Sequence, residues 1–156
     1  MNRFVESMIP QVKIARKGSN GDGIDIGLRY GLRGTAAGDW NFQLDWTHIY
    51  SYDSTPSERS DTIHVVGTYD RQFGNYAKYR GLLGVGWKYF DLDALLTARY
   101  IHKLVIKNPD GLFVTSPDLP IPSVTYFDLT VGYELPTKTK IQVGALNITD
   151  KQPPLH

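Results

Sequence analysis

Period-two alternation over long segments is the feature that most limits what this chain can become. In residues 23–34, Ile24, Ile26, Leu28, Tyr30 and Leu32 fall on one face, and Asp25, Gly27, Arg29, Gly31 and Arg33 on the other. Successive side chains of a strand point to opposite faces, so this pattern specifies a strand with one apolar and one polar side. Residues 40–52 repeat it, with Trp40, Phe42, Leu44, Trp46, His48 and Tyr50 opposite Asn41, Gln43, Asp45, Thr47 and Ser51. So do residues 76–89, 93–100 and 124–135, and a sixth strand is expected from Lys140 to about Asn147. An additional strand is expected near Val12 to Arg16, and a short one at residues 63–69. No segment sustains the i, i+3, i+4, i+7 pattern of a helix.

The connections alternate in length. Residues 35–39, 90–93 and 136–139 are short turns, whereas 53–75, which is polar, and 103–123, which holds Pro109, Pro117, Pro120 and Pro122, are long. Short turns on one side and long loops on the other are the layout of antiparallel hairpins in an outer-membrane barrel. Strand length agrees. At about 3.3 Å per residue and about 45° tilt, about twelve residues rise roughly 28 Å, enough to cross an apolar band about 25 Å tall. The expected fold class is therefore all-β, an antiparallel up-and-down meander of about six long strands forming part of a larger transmembrane β-barrel.

Aromatic residues gather at the strand ends. Tyr30, Trp40, Trp87, Tyr89, Phe90 and Tyr133 lie beside the short turns, and Tyr50, Tyr52, Tyr76, Tyr79, Tyr100 and Tyr126 beside the long connections. Two membrane interfaces select such belts. The opposite face carries Asp25, Arg29, Arg33, Asp45, Arg80, Lys88, Asp93, Arg99 and Asp128, charges of both signs that can pair across strands. Alternation by itself also suits a soluble lipocalin-like barrel or sandwich that binds a small ligand, and that is the alternative reading.

Composition narrows partners by exclusion. The 17 basic and 16 acidic residues of the 156 give no basic excess for nucleic acid. The chain has no cysteine, which removes disulfides, Cys-based zinc sites and a thiol nucleophile. No stretch approaches the roughly 18 apolar residues of a membrane helix, and no signal-peptide core follows Arg3. An exported chain of this kind would carry its signal upstream.

The end of the chain is the most recognisable part. Tyr126-Phe127-Asp128-Leu129-Thr130-Val131-Gly132-Tyr133-Glu134-Leu135 is followed by a short turn. Ile141-Gln142-Val143-Gly144-Ala145-Leu146-Asn147-Ile148-Thr149-Asp150-Lys151-Gln152-Pro153-Pro154 comes next. This resembles the penultimate hairpin of TonB-dependent outer-membrane receptors, with Ile148-Thr149 in place of the usual Leu-Phe. Gly23-Ile24-Asp25-Ile26, Val66-Gly67-Thr68-Tyr69-Asp70 and Tyr79-Arg80-Gly81 also resemble landmarks of that family. The resemblance spans roughly residues 20 to 154.

The resemblance implies uptake of a scarce nutrient, such as a siderophore, cobalamin or a saccharide. The implied location is the bacterial outer membrane. The implied partners are outer-membrane lipid, the rest of the barrel with its plug, and a TonB-type energy-transducing protein reached through an N-terminal part. It also implies that residues 1–156 are a partial barrel, lacking the plug and the final strand. Ligand contacts are expected in the long loops, with Arg59, Asp61, Arg71, Tyr76, Lys107 and Asp110 as candidates because outer loops meet a ligand first.

Catalytic and metal signals are weak. No nucleophile elbow, P-loop or dinucleotide fingerprint occurs, so no enzyme and no cofactor is expected. His48, His64, His102 and His156 lack ligand spacing. Residues 18–23, Gly-Ser-Asn-Gly-Asp-Gly, resemble a calcium loop but lack its acidic spacing and terminal Glu, which favours a flexible turn. Asn147-Ile148-Thr149 matches a glycosylation acceptor, a signal without meaning in a bacterial outer membrane.

Overall fold

The computed structural model describes residues 6–17, 21–54, 63–70, 74–106 and 118–153. Every regular element in them is a strand: β1 (Glu6–Lys17), β2 (Gly21–Thr35), β3 (Gly38–Ser54), β4 (Ile63–His64), β5 (Thr68–Asp70), β6 (Gly74–Asn75), β7 (Tyr79–Tyr89), β8 (Leu92–Ile101), β9 (Leu104–Ile106), β10 (Leu119–Ile121), β11 (Val124–Glu134) and β12 (Lys140–Ala145).

The main sheet is an open antiparallel meander in the order β1-β2-β3-β7-β8-β11-β12, with β4 pairing antiparallel to the end of β3. The six expected long strands are all present. The additional strand expected near Val12 is a full seventh member, because Met8, Pro10, Val12 and Ile14 face Tyr30, Leu28, Ile26 and Ile24 in register. Pro10 can join there because β1 is an edge and one side of it needs no ladder donor.

Register carries the alternation across the sheet. Leu28, Leu44, Leu83, Ala98 and Phe127 form one transverse row of the apolar face, and Tyr30, Phe42, Val85, Leu96 and Leu129 the next. A one-residue slip would move every one of these side chains to the other face, so the pattern fixes the pairing. β7 has eleven residues, about 36 Å of strand, or about 26 Å along a barrel axis at about 45° tilt.

The short turns are tight. Ala36 and Ala37 alone separate the paired Thr35 and Gly38. Gly38 sits at φ 101°, and a side chain there would run into the Lys88 carbonyl oxygen, so both conformation and space require glycine. Phe90 and Asp91 join β7 to β8, with Phe90 at φ 51° and 78% exposed.

The described parts of the long connections pair with one another. β10-β9-β5-β6 make a second small sheet, in which β5 and β9 are parallel. The short strand expected across residues 63–69 is broken at Gly67, whose φ of 82° turns the chain between β4 and β5. The buried apolar residues, Val65, Ala77, Leu104 and Val124, all lie at this end, and no large side chain is fully buried among the described residues. The apolar face of the main sheet stays open to its surroundings, with Leu83 at 45%, Val131 at 39% and Val143 at 71% exposure.

Candidate functional site

Three arrangements could serve function: the polar face, a cleft at the end where the long connections leave, and the rings on the apolar face.

On the polar face the charges pair across strands, as their alternating signs suggest. Arg29 donates to both carboxylate oxygens of Asp45 at 3.0 and 3.2 Å, and Gln43 donates to the same group at 2.6 Å. Thr47 donates to Asp25 at 2.6 Å, and Lys140 pairs with Asp93 at 2.8 Å.

Asp128, like Asp45, accepts three bonds. It accepts from Arg99 Nε at 2.9 Å, from Arg99 Nη2 at 3.2 Å and from the Asn147 backbone N–H at 2.8 Å. Asn147 then closes a loop with Lys151, donating to its carbonyl and accepting from its N–H at 3.0 Å each. The Ile148 N–H donates to the Phe127 carbonyl. One carboxylate on β11 thus ties β8 to the chain reversal after β12. Backbone groups at this reversal are satisfied by the Asn147 side chain and by the Asp128 carboxylate.

At the Val124 end of β11, beyond Asp128, lies a cleft of about 320 Å³. Ile101, Leu104, Ile106, Ile121, Pro122 and Val124 supply apolar walls, and Tyr69, Asn75, His102 and Tyr126 the polar groups. Asn75 is fixed from two sides: its amide oxygen accepts from the Ala77 N–H, and Arg80 donates to its backbone carbonyl. Tyr126 lies under the Arg99 guanidinium at 5.6 Å. Such a cleft suits a small, mostly uncharged group with a few acceptors and donors. Among the described residues no three His, Asp or Glu side chains gather to hold a metal ion.

A second hollow of about 190 Å³ opens on the polar face near the short turns. Gly31, Gly84 and Gly86 floor it, and Arg29, Arg33, Asn41 and Gln43 rim it.

Rings on the apolar face form two groups. Beside the short turns, Trp40 contacts Phe42 and Trp87 at 6.3 Å each, Trp87 stacks on Tyr89 at 6.1 Å, and Tyr89 meets Phe90 edge-on at 4.5 Å. At the other end Trp46 stacks on Tyr100 at 5.9 Å, and His48 packs on Tyr50 and Tyr79 at 4.2 and 4.4 Å. Tyr126 does not belong to this second group, because its register with Arg99 puts it on the polar face.

Of the expected ligand-contact residues, only Tyr76 can be placed. It stacks on Tyr52 at 4.8 Å and is not among the residues lining the cleft. Burial, and then the adjacent Tyr52, raises its phenol above the ordinary value. Arg59, Asp61, Arg71, Lys107 and Asp110 lie outside the described residues. Tyr69, Asn75 and Tyr126, which line the cleft, were not among the candidates drawn from the long connections.

His102 was also unmarked in the sequence. Its Nδ1 is 2.8 Å from the Tyr100 hydroxyl. Burial, followed by the charges of Lys103 and Lys78, holds its imidazole below the ordinary value. No family model, no curated protein and no solved structure matches this chain.

Proposed function

We propose that the chain is a C-terminal part of the β-barrel of a TonB-dependent outer-membrane receptor, acting in uptake of a scarce nutrient. The observation that carries this reading is the apolar face of the seven-stranded sheet. It runs unbroken across the neighbours, is bounded at both ends by aromatic rings, and is left exposed by the described residues. In water, contiguous exposed apolar surface of that kind seeks a partner. Lipid is the partner whose thickness matches strands of this length.

The polar face then looks into the lumen, where its cross-strand ion pairs and the glycine-floored hollow would meet the plug. The cleft at the long-connection end would face the medium and receive part of the nutrient. The terminal hairpin, residues 126–154, supports the receptor family over other barrels through its resemblance. The soluble lipocalin-like alternative is less well supported: a ligand-binding barrel closes around a filled interior, whereas this sheet is open and has no fully buried large side chain among the described residues.

The direct test is deletion of the reading frame that contains these residues, followed by growth and uptake with iron chelates, cobalamin or saccharides as limiting nutrients. Loss of high-affinity, energy-dependent uptake of one nutrient is expected. Unchanged uptake of all of them would overturn the proposal.

A further inference from the structure

The cleft at the long-connection end lies between two sheets whose registers decide what faces it. In the second sheet Asn75, Tyr69 and Ile106 are directly paired across β6, β5 and β9, and Ile121 pairs with Leu104, two positions before Ile106. Directly opposed residues share a face, as do residues two apart on one strand, so these side chains form one wall. The other wall is the polar face of the main sheet, the face of Arg99. There Ile101 pairs with Val124, and Tyr126 follows two positions on, opposite Arg99. All of these residues line the cleft.

The walls are apolar and uncharged, and their polar groups are hydroxyls and an amide. No Lys, Arg, Asp or Glu lines the cleft, and burial holds the His102 imidazole below its ordinary value, which favours its neutral form. The cations at the margin are engaged. The Arg99 guanidinium over Tyr126 bonds both oxygens of Asp128, and Arg80 donates to the Asn75 backbone carbonyl. The Asn75 amide oxygen accepts from the Ala77 N–H at 3.2 Å and from Arg80 at 3.3 Å. Its two amide N–H donors are left without a partner among the described residues. Tyr69 is 37% exposed, and neither its ring nor its hydroxyl has a partner among the described residues.

A charged ligand would find no counter-ion here, and a wholly apolar one would leave the amide donors and the Tyr69 hydroxyl unanswered. A sugar ring answers both, with hydroxyls that accept from an amide and C–H edges that suit the negative face of an aromatic ring. We propose that this cleft binds the end of a neutral saccharide, its hydroxyls on the Asn75 amide and a C–H face on the Tyr69 ring. The volume of about 320 Å³ lies near the lower end of small-molecule sites, about 300–1,000 Å³, and suits a chain end rather than a large chelate. The inference rests on the uptake reading above, of which it names the nutrient class.

The test is binding of the full-length receptor in detergent to an array of neutral and acidic oligosaccharides, with ferric chelates and cobalamin titrated alongside. Binding of a neutral oligosaccharide in preference to the acidic ones is expected. Asn75→Asp keeps the acceptor for the Ala77 N–H but removes both donors, and Tyr69→Ala removes the ring; each should weaken that binding about tenfold. Tyr69→Phe, which keeps the ring, should retain most of it, and Lys138→Gln, at the opposite end, should change nothing. Absence of any bound neutral oligosaccharide, equal binding of the acidic ones, or full affinity in both Asn75→Asp and Tyr69→Ala would each overturn the inference. If a neutral oligosaccharide binds but cells lacking the receptor still take it up, the uptake reading fails and the cleft assignment stands. If those cells lose uptake of a ferric chelate or cobalamin and no saccharide binds, only the cleft assignment fails.

Discussion

Gly81 lies directly under the indole of Trp46, where an added Cβ would stand 2.7 Å from the ring. The ring cannot yield cheaply because it is stacked on Tyr100 across the strand. Gly81→Val should therefore lower stability by about 1–3 kcal/mol, as overpacking does. Three positions along, a Cβ on Gly84 would sit 3.6 Å from Gln43, an ordinary contact. Gly84→Ala should be neutral or raise stability by about 0.4–1 kcal/mol through the unfolded chain. Urea midpoints of the two variants, measured side by side in detergent, check this; equal midpoints would contradict it. Asp128→Ala removes acceptors for both Arg99 and the Asn147 N–H, so its midpoint should fall further than that of Asp25→Ala, which loses one threonine bond.

His102 belongs to the same scale. Its folded-state value is depressed, so the folded protein binds fewer protons at this site than the unfolded chain does. The stability it contributes is full above the ordinary value of about 6.5 and is lost as pH falls through the lower folded value. A midpoint series in pH should show this decline in wild type and a weaker one in His102→Gln. Identical slopes would contradict the assignment.

At the scale of elements, the strands were legible because each carries its own alternation, and the tight turns because Gly38 and the Pro136 region interrupt it. β1 was faint because Ile9 and Ala15 break its alternation and Pro10 argues against a strand, and pairing with β2 is what gives it a face. The second sheet was not legible at all. β5 and β9 are three residues each and pair across more than thirty positions, and nothing local marks such a contact. The cleft depends on that pairing, so its lining could not be read from loop position alone. The pairing also ranks the strands. β3, β7 and β8 have partners on both sides, whereas β12 is a six-residue edge that is exposed throughout. Hydrogen exchange should be slowest in β3, β7 and β8 and fastest in β12, and uniform protection would contradict the sheet order.

At the scale of the molecule, neighbouring strands of the main sheet are antiparallel throughout, so β1 and β12, first and seventh, run in the same direction. Closing an up-and-down barrel between them therefore needs an odd number of further strands. The reading frame around this chain should encode an odd number, bringing the total to the even count of bacterial barrels.

The claim on which everything else rests is that the apolar face meets lipid and the polar face meets water. The chain has no cysteine, so single cysteines at consecutive positions of β7, from Arg80 to Lys88, can each carry a spin label without background. In the full-length protein in bilayers, labels at Leu83, Val85 and Trp87 should be relaxed by oxygen, and labels at Leu82, Gly84 and Gly86 by a water-soluble nickel chelate, out of phase with period two. A chelate-accessible pattern at Leu83 and Val85, or no period at all, would contradict the account.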